Sequence, residues 1–283
     1  MKFASCIRLS RPKHWLKNAL IFLPILYAQN LFYKDLLLST ALTFLAFCLL
    51  SSTVYVINDI ADKKQDALHP IKKSRPIASG KISTTQALYF AVFLFSTALA
   101  IAFFGTNMPV FFFALAYISL NLAYSFRLKH IAIVDCFCIA AGFILRIYAG
   151  GAAASSPITH WLFLTMTAAS LFMAFGKRRG ELLQLKGKEH TRKVLSAYNL
   201  PFLSAMVFLM AGLAIVFYAL WSLDSAQNML YTVPIVLFIV SQYLLLLHRE
   251  DCHGDPVSVI FSSKTLLISI AFLGVFSLIL LYW

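Results

Sequence analysis

Apolar residues run along this chain in long unbroken stretches, with polar residues gathered between them. Nine stretches come close to, or exceed, the roughly 20 residues a helix needs to cross a bilayer. They are Trp15–Leu31, Leu36–Ile57, Ala87–Phe104, Met108–Tyr124, Ile131–Ala149, Ile158–Phe175, Pro201–Leu223, Met229–Leu247 and Leu266–Trp283. Backbone polar groups in lipid must be satisfied within the segment, so each stretch reads as a helix. The pattern predicts an all-α, polytopic membrane protein of nine transmembrane helices, a single integral membrane domain over residues 1–283. Ser83 and Gln86 have the spacing of a capping box opening the third span, and Pro12 suits a helix start. No removable signal peptide is expected, because no apolar core with a small-residue cleavage site follows the basic N-terminal residues.

Composition sharpens this picture. The chain is 60% hydrophobic with 12% charged residues, which excludes a soluble domain. Its five cysteines are odd in number and lie mostly inside expected spans, so they form no disulfide framework. Cys136 and Cys138 point to different sides of a helix and read as small buried hydrophobes, not a metal site. The net charge is +13, and 22 of the 24 Lys and Arg residues fall on one side if nine helices alternate. The exceptions are Lys34 and Arg146. The positive-inside rule then puts the N-terminus and these loops in the cytoplasm, in an inner-membrane protein. Trp161, Trp221 and Trp283 fall at the expected outer interface. A basic surface over a membrane suits a lipid head group or a polyphosphate. Nucleic acid does not fit, since no stacking aromatics interleave with the basic loops.

The chemistry concentrates at the expected cytoplasmic ends. Asn58, Asp59, Asp62 and Asp66 close the second span. Around a continuous helix Asp62 lies about 60° from Asp59, and Asp66 about 20°. Three like charges on one face repel, and a hard divalent cation would relieve that repulsion; Mg2+ takes carboxylates, waters and substrate phosphates. Pro70 should stop this helix, and Lys72 and Arg75 can return over the site to meet phosphate oxygens. Lys13 and Lys17, four apart on one helical face, read as snorkelling anchors or as phosphate contacts. Tyr124 and Lys129 bracket the fourth loop. Asp135 and Arg146 lie about three turns apart in the fifth span, too far to pair directly. Each marks a functional site or an interhelical ion pair. Lys177, Arg178, Arg179 and Glu181, with Arg192 and Lys193 beyond, fit an arginine–phosphate site and a positive-inside anchor equally.

These residues resemble the UbiA superfamily of intramembrane prenyltransferases. Asn58, Asp59, Asp62 and Asp66 match its first motif, N-D-x-x-D-x-x-x-D, and Tyr124 and Lys129 match its middle loop. The resemblance implies a helical bundle around a central cavity, with Mg2+ and diphosphate held by Asp59, Asp62 and Asp66. One departure stands out: where most members carry a second D-x-x-x-D motif, this chain has Lys177-Arg178-Arg179-Gly180-Glu181. With R-P-x-x-W-x-K-N (Arg11 to Asn18), H-P-x-K-x-R-P-I-A-S-G (His69 to Gly80) and G-F-x-L-R (Gly142 to Arg146), that run is similar to the phosphoribosyltransferase branch.

That branch implies transfer of a 5-phosphoribosyl group from phosphoribosyl diphosphate to a polyprenyl phosphate (decaprenyl-phosphate-like), for cell-envelope arabinose-donor synthesis. Lys17, Asn18, Asn58, Lys72, Arg75, Tyr124, Lys129, Asp135, Arg146, Lys177, Arg178 and Glu181 would contact the substrates. The alternative is an aromatic prenyltransferase acting on an acceptor such as 4-hydroxybenzoate. Membrane lipids are the expected surroundings, and the oligomeric state is left open.

Overall fold

The computed structural model describes residues 3–68, 72–184, 193–224, 229–248 and 256–283. Every element among them is helical. Among the described residues, seven helices are long and apolar enough to cross a membrane, so the expected count of nine is approximate. The protein is an integral, multi-pass membrane protein. His69 and Pro70, where the second helix was expected to stop, lie outside the described residues, as do Arg192 and the side chain of Lys193.

The chain forms two compact units, Met1–Phe126 with Leu145–Pro157, and Arg127–Ile144 with Ile158–Trp283. The first contains α1 (Phe3–Ser10), α2 (Leu23–Tyr27), α3 (Lys34–Ala61), α4 (Lys63–Leu68), α5 (Thr84–Phe104) and α6 (Met108–Phe126). Helix α7 (Val134–Ala153) supplies its first half to the second unit and its second half to the first.

In the first unit α3 packs along α5. Ala87, Ala91, Leu94, Ala98 and Ala102 form the buried stripe of α5, and small residues let membrane helices approach closely. Ala98 and Ala102 share a core with Ala46, Phe47, Leu50 and Val54 of α3, and Ala87 and Ala91 share one with Val56. The hydroxyls inside α3 do not waste their bonds: Ser52 and Thr53 donate to the carbonyls four residues back, as membrane helices require. The expected capping box is present, with Ser83 accepting from the Gln86 N–H and Gln86 Oε1 accepting from the Ser83 N–H.

The first expected span differs from the sequence reading. Pro12–Phe22 is a 3-10 helix, followed by the short α2. Pro12 does open it, at its first turn. At three residues per turn, Lys13 and Lys17 lie about 120° apart and share no face. This segment meets α7 backbone to backbone: a Cβ on Gly150 would stand 2.2 Å from the Ile21 carbonyl oxygen.

The second unit holds the first half of α7, α8 (His160–Gln184), α9 (Leu200–Asp224), α10 (Val233–Leu247), α11 (Pro256–Ser262) and α12 (Lys264–Tyr282). Its core joins Leu171, Phe172 and Phe175 of α8 to Leu203, Val207 and Ala211 of α9 and Leu246 and Leu247 of α10. Helix α8 continues past its apolar stretch, so Lys177, Arg178, Arg179 and Glu181 are helical. Arg179 donates to the Leu247 carbonyl, satisfying an acceptor that the end of α10 leaves open.

The backbone approach at Gly150 yields a test with a control. Gly→Ala in a helix ordinarily stabilises by about 1 kcal/mol. Gly150→Ala should instead destabilise by about 1–3 kcal/mol, the usual cost of overpacking. Gly274→Ala on α12, where an added Cβ meets nothing within 4 Å, should be neutral or stabilising. Thermal unfolding in detergent compares them; equal behaviour would contradict the close approach.

Candidate active site

In the first unit, two buried carboxylates converge on one cation. Asp59 lies in the last turn of α3 and Asp66 in α4, each 3% exposed. Arg75 Nη1 donates to Asp59 Oδ1 at 3.0 Å and to Asp66 Oδ2 at 2.6 Å. Arg11 Nη2 reaches the same Asp59 oxygen at 2.5 Å. The sequence spacing placed Asp59, Asp62 and Asp66 on one face; the structure brings Asp59 and Asp66 together on Arg75, across a shallow break in the helix at Asp62. The Asp62 N–H still bonds the Asn58 carbonyl at 2.9 Å, and the Asp66 N–H bonds the Asp62 carbonyl at 2.8 Å. Asp62 itself is half-buried at the α3–α4 junction.

The loop carrying Arg75 is built to return. The Arg75 N–H bonds the Lys72 carbonyl, the Ser79 N–H bonds the Arg75 carbonyl, and the Ile82 N–H bonds the Pro76 carbonyl. Gly80 sits at φ 74°, in the left-handed region that glycine enters freely. Ile77 and Ile82 anchor the loop in a core with Leu9 and Val56. Arg75 therefore returns over the acids as expected, while Lys72 and Asn58 sit half-buried beside them in sequence. Arg11 adds a cation that the expected site set did not contain. Its backbone is left-handed, at φ 48°, and its guanidinium lies 4.8 Å from the Tyr55 ring centre. The available signal was its place before Pro12, which opens the 3-10 helix.

Among the described residues no group of three or more His, Cys, Asp or Glu side chains is arranged to hold a metal ion. The Asp59–Asp66 pair nevertheless suits Mg2+, which needs only one or two carboxylates when waters and phosphates complete its shell. Two carboxylate oxygens already share one positively charged nitrogen, so they can share a cation.

Arg146 lies in the same unit, 8% exposed. Its Nε donates to Asn18 Oδ1 at 2.6 Å and its Nη2 to the Tyr117 hydroxyl at 2.8 Å, with the guanidinium 4.7 Å from the Tyr117 ring centre. Asn18 is fully buried and donates to Cys48 and Ser51. Lys17 and Tyr124 are half-buried.

The second unit settles Asp135 differently. Asp135 and Arg178 are both fully buried, and Arg178 Nε donates to Asp135 Oδ2 at 2.5 Å. Arg178 Nη1 also donates to Glu181 Oε2 at 2.6 Å, one turn along α8. The Tyr198 hydroxyl donates to Asp135 Oδ1 at 2.6 Å and accepts from the Ile133 N–H at 2.6 Å. Burial, then the bond to Asp135, pushes the Tyr198 hydroxyl up, so it stays a protonated donor. Lys177 and Lys129 are half-buried. Tyr198 was not among the expected residues, and no local motif marks it.

Stranding a buried charge costs about 3–5 kcal/mol. Arg178→Met, which leaves the fully buried Asp135 without its cation, should therefore lower stability by that amount in thermal unfolding, and pairing it with Asp135→Ala should recover most of the loss. A small effect of Arg178→Met alone would show that the pair is not buried.

Residues 20–261 match the UbiA prenyltransferase family. The decaprenyl-phosphate phosphoribosyltransferase of Mycolicibacterium smegmatis is 32% identical over 289 residues, 95% of this chain and 90% of that protein. The protein of the same name from Corynebacterium glutamicum is 34% identical over 272 residues, 92% of this chain and 81% of that protein. A UbiA homolog from Archaeoglobus fulgidus, solved bound to GPP and Mg2+, has a TM-score of 0.78 at 18% identity, covering 99% of this chain and 100% of that one. That last likeness is one of fold. With the acidic first motif in place, these matches converge on one conclusion: the chain belongs to the UbiA prenyltransferase family.

Proposed function

We propose that this protein transfers a 5-phosphoribosyl group from phosphoribosyl diphosphate to a polyprenyl phosphate and releases diphosphate. The observation that carries the reading is the similarity, over nearly the whole chain, to two proteins named decaprenyl-phosphate phosphoribosyltransferase. The charge distribution supports it. A prenyl donor brings one diphosphate, whereas this reaction brings a diphosphate, a 5-phosphate and a lipid phosphate, and the chain has a basic run where a second acidic motif would sit.

In the reaction, a lipid phosphate oxygen bonds to the ribose anomeric carbon as the bond from that carbon to diphosphate breaks. No protein nucleophile is required, because the lipid phosphate is already ionised. Asp59 and Asp66, with Asp62 at their junction, would hold Mg2+, which when bound supplies charge stabilisation for the departing diphosphate. Arg75 and Arg11 would then turn from these carboxylates to phosphate oxygens, joined by Lys72 and Lys17. Arg146, held by Asn18 and Tyr117, is a further anion contact, and Asn58 and Tyr124 are proposed as additional substrate contacts. Lys129 and Lys177 are proposed to meet the remaining phosphates, with Asp135, Arg178 and Glu181 as the buried set behind them. Holding anions together against their repulsion is the main catalytic task. The positive-inside bias supports a cytoplasmic N-terminus and a site on the cytoplasmic side of the inner membrane.

The second reading, prenyl transfer to an aromatic acceptor such as 4-hydroxybenzoate, is favoured by the family's description and by the GPP-bound relative of the same fold. One experiment separates them. Membranes containing the protein are given labelled phosphoribosyl diphosphate with polyprenyl phosphate, and in parallel labelled prenyl diphosphate with 4-hydroxybenzoate. Label should pass from the ribose donor into the lipid phase, and Asp59→Asn and Asp66→Asn should each abolish the transfer at saturating Mg2+. Label moving only onto the aromatic acid would establish the second reading instead.

A further inference from the structure

Ile133 sits at φ 68°, a left-handed conformation that is costly for a β-branched residue. Nothing in its own side chain explains this, since Ile133 is 46% exposed. Local backbone bonds turn the chain here, from the Val134 N–H to the Ala132 carbonyl at 2.8 Å and from the Cys136 and Phe137 N–H groups to the Ile133 carbonyl at 3.0 and 3.1 Å, and one bond ties the turn to a residue distant in sequence: the Ile133 N–H donates to the Tyr198 hydroxyl at 2.6 Å. The same hydroxyl is fixed from its other side by Asp135 Oδ1, and Asp135 by Arg178. The Tyr198 ring is stacked on Phe202, with ring centres 6.1 Å apart and planes 16° from parallel. The strained residue is thus clamped by a buried side chain that cannot move independently.

The clamp closes the segment that carries Lys129. Leu128–His130 forms one 3-10 turn, and it packs against Lys193–Ala197, the turn leading directly into Tyr198. Immediately afterwards the Ile131 N–H bonds the Leu128 carbonyl, and the Asp135 N–H bonds the Ile131 carbonyl as α7 begins. Lys129, half-buried, makes no hydrogen bond or ion pair with another described residue. Its position is therefore set by the backbone of its turn, and the exit of that turn is set at Ile133.

We propose that Tyr198 is a positioning residue for the phosphoribosyl donor: it holds Ile133 in its left-handed conformation, and so aims Lys129 at a phosphate. This rests on the reading of Lys129 as a phosphate contact. It assigns Asp135 and Arg178 to the support of Tyr198, and it gives the basic run of α8 a task that does not require Arg178 to leave its two carboxylates.

The test is a double-mutant cycle with a rescue, read as equilibrium binding of labelled phosphoribosyl diphosphate and as KM and kcat of the purified protein. Tyr198→Phe keeps the ring and its stacking and removes only the hydroxyl. It should weaken donor binding about tenfold, the scale of one lost hydrogen bond, with kcat at saturating donor much less affected. Lys129→Gln should weaken binding similarly, and Tyr198→Phe added to it should do little more. Ile133→Asn supplies a residue that enters the left-handed region readily at an exposed position. It should restore donor binding to the Tyr198→Phe protein, and it provides a foldable background if Tyr198→Phe alone does not fold. If Lys129→Gln weakens binding while Tyr198→Phe has no effect, acts additively, or escapes rescue by Ile133→Asn, the positioning role is overturned and the proposed reaction stands. If Lys129→Gln leaves donor binding unchanged, the phosphate contact itself is wrong and the inference falls with it.

Discussion

Two carboxylates buried at one end of a membrane helix cannot both stay charged without a cation between them. Asp59 and Asp66 meet this constraint by sharing Arg75, with Arg11 adding to Asp59. Much of the first unit follows from it. The turns of residues 72–82, with Gly80 at positive φ, bring Arg75 back over α3 and α4. The left-handed backbone of Arg11, its stacking on Tyr55 and the 3-10 helix after it bring the second guanidinium to the same oxygen. Repulsion among the acids, which on a bare helix would cost stability, is here offset by residues distant in sequence.

The second unit solves a related problem with the roles reversed. Arg178 is the fully buried group, and Asp135 and Glu181 satisfy it. Because α8 stays helical through this run, Arg178 and Glu181 fall one turn apart, and Tyr198 completes the set on Asp135. The two arrangements differ in enclosure. The arginines on Asp59 and Asp66 keep 23% and 27% side-chain exposure, whereas Arg178 keeps none. Partly exposed guanidiniums can exchange a carboxylate for a phosphate at modest cost, while a sealed one is better suited to fixing geometry.

What the sequence revealed follows from the range of each interaction. The capping box of Ser83 and Gln86, the helix start at Pro12 and the common face of Asp59 and Asp66 depend on residues within two turns of each other, and all were legible. Arg75 was legible because proline and glycine bound its loop tightly. The partners of Arg146 and Asp135 were not, since Asn18, Tyr117, Arg178 and Tyr198 are brought to them by helix packing. The hydropathy count of spans is approximate: Trp15–Leu31 is apolar enough, but its first part winds as a 3-10 helix and its second is the short α2. The reaction was legible only through motifs, because composition alone suits any enzyme that handles anionic lipids.

In the proposed reaction Arg75 and Mg2+ would compete for Asp59 and Asp66, and diphosphate would resolve the competition by drawing the arginine away. Calorimetric titration of Mg2+ into the purified wild type and Arg75→Gln, with and without inorganic diphosphate and corrected for Mg2+ held by free diphosphate, measures this directly. The account predicts weak Mg2+ binding to the wild type alone, a gain of about tenfold or more on adding diphosphate, and tighter binding of Mg2+ alone to Arg75→Gln. Equal Mg2+ affinity in both proteins, unchanged by diphosphate, would contradict it.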